Sequence, residues 1–242
     1  MPVDRGRRIG AAAGILFALI TIAGFLIPGS PPKADHLNNE FTQFLTDKRG
    51  KIMTSDALIG LGFAFYLLFL GALRSHLADR PASAATAGED RTLSNAAVIG
   101  GSIGAALILA AVAAVNGIAF KAAGAGDDAL NRAVFDVSQD LFAISGFAFA
   151  VFFASAGLVA AANGALPRAL ALLGVLVGVL NLVGTIALFA KSGFFANGGA
   201  FGFVVGFSST LWVLAAAVFI FRGAAIPALP AGGTRIADRP AA

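Results

Sequence analysis

Few side chains in this sequence can do chemistry, and they fall into three groups. Asp56 and Asp140 each open an apolar run and are followed by the same Gly-Phe-Ala-Phe at the same spacing. Two carboxylates at one membrane face would suit a cation or a polar substrate. Asn116 and Asn181 are the most polar side chains inside otherwise uncharged stretches. Amides in such places bind a neutral solute or, more often, join helices by hydrogen bonds worth about 0.6–2 kcal/mol. Ser208, Ser209 and Thr210 add three consecutive hydroxyls, and hydroxyls on a helix readily bond back to its own carbonyls. For Asp56 and Asp140 the plainer role is helix starting, where the macrodipole favours a carboxylate by ~0.3–1 kcal/mol. In each group the plainer role is the expected one.

Other chemistries lack their residues. The chain has no cysteine, so disulfides, thiolate metal sites, iron–sulfur clusters and cysteine nucleophiles are excluded. His36 and His76 are the only histidines, and both fall in expected loops on opposite sides of a membrane. Neither can be an axial haem ligand inside a span. His36 with Asp35 and Glu40 is the one grouping with metal-ligand character, and a solvated loop is the expected reading. There is no HExxH, no phosphate loop and no serine–histidine pair within one compartment. No cofactor, no metal and no catalytic residue is expected.

The elements that must position these residues are membrane helices. Of 242 residues, 58% are hydrophobic and only 12% charged, against about 25% charged in a soluble domain. Mean hydropathy is +0.85. Apolar runs at 9–27, 57–73, 96–120, 141–162, 169–190 and 200–221 are each close to the ~17–25 residues that cross the hydrocarbon. The expected fold is an all-α polytopic bundle of six transmembrane helices over residues 1–222, with a disordered cytoplasmic tail at 223–242. The first run follows a basic head (Arg5, Arg7, Arg8) and is longer than a signal-peptide core, so an uncleaved span is expected. The span interiors hold no Asp, Glu, Lys, Arg or His, which demotes proton relays and ion-coupled transport.

Between the first two runs, Leu37, Phe41, Phe44 and Leu45 form the one-sided stripe of an amphipathic helix. Gly50 is the expected stop, and Thr54–Asp56 the start of the next helix. The stripe suits either a bilayer-surface helix or, as expected here, a helix packed on the bundle end. A second short outer helix is expected before the fourth run, capped by Asp127, with Leu130, Val134, Val137 and Leu141 on one face. The repeated Asp–Gly-Phe-Ala-Phe unit suggests three related two-span hairpins. In that scheme Gly62 and Gly146 meet about a pseudo-two-fold axis, amid Phe63, Phe65, Phe147 and Phe149. Small-xxx-small patterns at Gly10/Gly14, Gly100/Gly104, Gly174/Gly178 and Gly198/Gly202/Gly206 predict close helix packing.

Lys and Arg number ten on one side of this topology and seven on the other. The bias places both termini in the cytoplasm. The pI near 10 follows from these loop charges rather than from a nucleic-acid surface, so the expected partner is the lipid bilayer, with or without a membrane protein.

Arg8 ahead of an alanine-rich first span, Phe25-Leu-Ile-Pro28, Phe69-Leu-Gly-Ala-Leu-Arg74, Leu166-Pro-Arg168 and Leu211-Trp212 give the chain a family likeness. It resembles a family of uncharacterised six-span bacterial membrane proteins of actinobacterial type. The resemblance implies a bacterial cytoplasmic-membrane location and carries over no catalytic residue. The expected function is non-catalytic: an interaction or lipid-associated membrane protein. The alternative is a small transporter or permease for a neutral or lipid-like solute, using Asn116, Asn181 and Ser208–Thr210. A polar cavity joining Asn116 to Asn181 would favour transport; a dry bundle would favour interaction.

Overall fold

The computed structural model describes residues 2–29, 32, 37–78, 87–122, 127–190 and 192–223. His36 and the expected tail beyond Gly223 lie outside them. Among the described residues every regular element is helical. The order is α1 (Pro2–Leu26), α2 (Asn38–Asp47), α3 (Arg49–Ala78), α4 (Ala87–Gly117), α5 (Asp128–Asn163), α6 (Arg168–Gly184) and α7 (Ala200–Gly223). A π-helical turn at Ile118–Ala122 ends α4, and a 3-10 turn at Thr185–Leu188 ends α6. All but α2 are long and apolar enough to cross a membrane. The chain is an all-α, six-span bundle.

Local chemistry sets several of the boundaries. Asp127 caps α5, its carboxylate accepting the Leu130 N–H at 2.9 Å. The same helix ends at Gly164, whose φ of 67° is the left-handed turn that glycine makes without strain. Pro167 then precedes α6, where its missing N–H costs nothing.

Other boundaries differ from expectation. Gly50 does not stop a helix; α3 begins at Arg49, one residue after α2. A glycine costs a helix only ~1 kcal/mol, and here packing outweighs it, because Ile52 is buried with Leu45, Ile118 and Ala119. No separate helix precedes the fourth span either: α5 runs unbroken for 36 residues, ~54 Å at 1.5 Å per residue. That exceeds a ~30 Å hydrocarbon core, so α5 projects beyond it. The inner face of the projection is Asn131, Phe135 and Ser138, while Leu130 and Val137 point outward.

The six spans form a closed ring in chain order: α1, α3, α4, α5, α6, α7, and back to α1. Consecutive antiparallel helices are neighbours, and α3 makes further, lesser contacts across the ring with α5 and α7. The centre is aromatic. Tyr66, Phe69, Phe152, Phe153 and Trp212 are all buried, with ring centroids 4.6 Å apart for Phe152–Phe153 and 5.3 Å for Phe153–Trp212. The outside carries Leu67, Leu68, Ile99, Ile103, Leu158 and Leu172, each about half exposed. That is the surface of a helix ring in lipid, not in water.

The glycine patterns behave unequally. A Cβ at Gly100 would strike the α5 backbone at Ala148 and Phe152, and one at Gly178 would strike Ala154. Gly10 and Gly14 pack on Ala72 and Phe69 of α3. Gly202 and Gly206 meet nothing, and Gly198 serves a turn at φ 76° instead. The pseudo-two-fold contact does not form. Gly62 lies against Thr21 of α1, whereas Gly146 lies against the Asn181 carbonyl and Thr185. Phe63 is buried and Phe147 exposed, so the two copies present different faces.

Candidate functional site

The structure separates the two aspartates. Asp56 sits in the second turn of α3 and is buried, and its Oδ2 has no protein partner. Asp140 is exposed three turns into α5, with Asn197 Nδ2 at 3.5 Å from its Oδ1. Neither marks a helix N-terminus, because both helices begin further out, so the macrodipole does not account for either. No hydrogen bond joins the pair among the described residues, and no group of three or more potential metal ligands occurs there.

The amides also differ. Asn181 is buried on α6, donating to Val177 O on its own helix and to Ser209 Oγ of α7, both at 2.9 Å. It joins two spans. Asn116 stands one residue before the end of α4, half-buried and without a hydrogen bond among the described residues. It lies in the last turns of the candidate span Arg91–Phe120, not midway along it. Ser208 bonds to Val205 O at 3.0 Å and Thr210 to Gly206 O at 2.9 Å. Only Ser209, as the acceptor of Asn181, reaches another helix.

Above the ring at the Asp56 end lies a folded cap. Phe41 of α2 is 1% exposed, packs edge-on against Phe135 at 5.1 Å, and carries the Arg132 guanidinium 4.2 Å above its ring. Arg132 is held in turn by Asp136 at 2.8 Å. Asn131 Nδ2 donates to Thr42 Oγ1 at 3.1 Å. Phe41 and Leu45 are buried in this way, and of the α2 stripe only Leu37, at its N-terminal end, is exposed. The α2 helix is packed on the bundle end.

The opposite end is braced by residues that the spacing of motifs does not reveal. His76 is not in a loop; it is buried in the last turn of α3. Its Nε2–H donates to Ala165 O at 2.8 Å, and Phe219 of α7 stands edge-on at 6.4 Å. Asn163 Nδ2 donates to Leu77 O at 2.8 Å. These bonds tie α3 to the α5–α6 turn across the ring. A signal was available: His76 and Leu77 continue the buried stripe Phe69, Leu70, Leu73 at helical spacing. Trp212 is a second brace, its Nε1–H donating to Leu170 O at 2.9 Å while its ring lies over Gly174.

Two hollows remain. One, of about 10 Å³, lies under the cap between Phe41, Phe135, Gln139 and Asn197, with room for about one water. The other is an open groove of about 570 Å³ along α7 and the start of α6. Neither is lined by Asp56, Asp140, Asn116 or Asn181. The chain matches no family model, no curated protein and no solved structure.

Proposed function

We propose that this is a non-catalytic integral membrane protein that acts by interaction, with a partner protein or with lipid. The observation that carries the reading is the filled centre of the ring. A transporter needs a solvated path through the bundle, and here Tyr66, Phe69, Phe152, Phe153 and Trp212 pack into the centre of the ring. The cap adds a packed, polar-faced surface at one end, suited to a partner. The resemblance to six-span bacterial proteins and the arginines Arg5, Arg7 and Arg8 support a bacterial cytoplasmic membrane with both termini inside.

The test is purification in a mild detergent followed by native mass spectrometry, beside a swelling assay of reconstituted vesicles. A stoichiometric polypeptide or lipid retained on the bundle is the expected result. Protein-dependent entry of a neutral solute into the vesicles would overturn the reading in favour of a permease.

A further inference from the structure

The groove runs along α7 and the start of α6, beside Trp212. The indole lies over Gly174 and bonds to Leu170 O, and α6 and α7 touch least of any neighbours in the ring. Leu170, Leu211, Leu214, Ala215, Val218 and Phe219 line the opening, and Arg222 is its only charged residue. From Leu211 to Arg222 the α7 wall measures about 16 Å at 1.5 Å per residue. That is one leaflet of a ~30 Å hydrocarbon core, with the arginine at headgroup level.

The same end carries more positive charge. Arg8 lies 5.7 Å over the ring of Phe221, next to Arg222, and Arg168 opens α6 beside Leu170. All three arginines are exposed, and neither Arg168 nor Arg222 has a hydrogen bond or ion pair among the described residues. No carboxylate lines the groove. We propose that the groove holds one acyl chain of a phospholipid with a net negative headgroup, whose phosphate pairs with Arg222 while the chain lies over Ala215. A zwitterionic lipid fits the apolar wall and also carries a phosphate, but its ammonium group brings positive charge back to the arginine-bearing end. The proposal rests on the interaction reading above and specifies its lipid partner.

Trp212 is the sole tryptophan and adjoins the groove through Leu211 and Leu170, so its fluorescence reports occupancy. The full chain is reconstituted in vesicles containing a minor fraction of chain-brominated phosphatidylglycerol in phosphatidylcholine, or the reverse labelling. The brominated acidic lipid is expected to reach the quenching site about fivefold more effectively, the factor for one arginine at a charged surface. Arg222→Gln removes that preference. Ala215→Phe fills the groove, leaves the arginine in place, and also reduces quenching by the acidic lipid. Equal quenching by both lipids, or a preference that survives Arg222→Gln, overturns the proposal. A preference lost in Arg222→Gln but kept in Ala215→Phe overturns the groove as the site. Solute entry in the swelling assay would sink the interaction reading without altering these quenching results, so the two failures are distinct.

Discussion

At the scale of single residues, the useful distinction is between polar groups with partners and those without. Asn181 has both amide hydrogens engaged, one of them across to Ser209. Asn181→Ala and Ser209→Ala should each lower stability in detergent by about 0.6–2 kcal/mol. The double variant should cost less than their sum, because the two side chains share one bond; additive losses in a double-mutant cycle would show that the bond contributes nothing. Tyr66 is the opposite case. Its ring packs against Phe17 at 4.9 Å and Phe152 at 5.9 Å, yet its hydroxyl is buried without a protein acceptor. Tyr66→Phe keeps the ring and removes the unmet group, so it should be neutral or raise stability, by up to ~1–3 kcal/mol. A clear loss of thermal stability would mean that the hydroxyl has a partner and that the centre of the ring is not simply packing.

At the scale of elements, α2 and the glycine-lined contacts make opposite kinds of prediction. The cap depends on Phe41, so Phe41→Ala should cost ~3–5 kcal/mol locally. The consequence to measure is proteolytic cutting within Asn38–Asp47 while the spans remain intact; an uncut segment would show that α2 is held by other contacts. Among the glycines, position decides. Gly100→Leu drives a side chain into the α5 backbone and should destabilise by about 1–3 kcal/mol. Gly202→Leu meets open space and should be tolerated. Equal thermal stability of the two variants would contradict the packing described for α4 and α5.

At the scale of the whole molecule, the ring closes because consecutive antiparallel spans pack side by side and α7 returns to α1. The braces at His76 and Asn163 then tie one end together, and the cap covers the other. This arrangement makes the topology directly testable, since the chain lacks cysteine and any introduced thiol is unique. Thr46 in α2 and Ala78 at the end of α3 are both exposed and lie at opposite ends of the bundle. Thr46→Cys should react with an impermeant thiol reagent added to intact cells, and Ala78→Cys only after the membrane is opened. Labelling of both from one side would exclude the six-span ring, and the reverse pattern would invert the orientation.

The sequence by itself determined the class of the protein and the number and order of its spans. A run of about twenty uncharged apolar residues has one stable form in a bilayer, where every backbone N–H and C=O must be satisfied within the helix. The Asp127 cap and the turn at Asn163-Gly164 were legible for the same local reason. The depth of Asp56 was not, because Gly50 looks like a stop until Ile52 is seen packed against Leu45 and Ile118. Nor could a repeated motif reveal that Gly62 faces α1 while Gly146 faces α6. Two stretches with similar letters can bury different sides, since the partner helix sets which side is inward. The pairing of Asn181 with Ser209, the bracing by His76 and the groove beside Trp212 are likewise products of helix placement. Each joins residues far apart in the chain. In a bundle whose interior and exterior are both apolar, the hydrophobic pattern says little about which face meets which, and only close packing decides it.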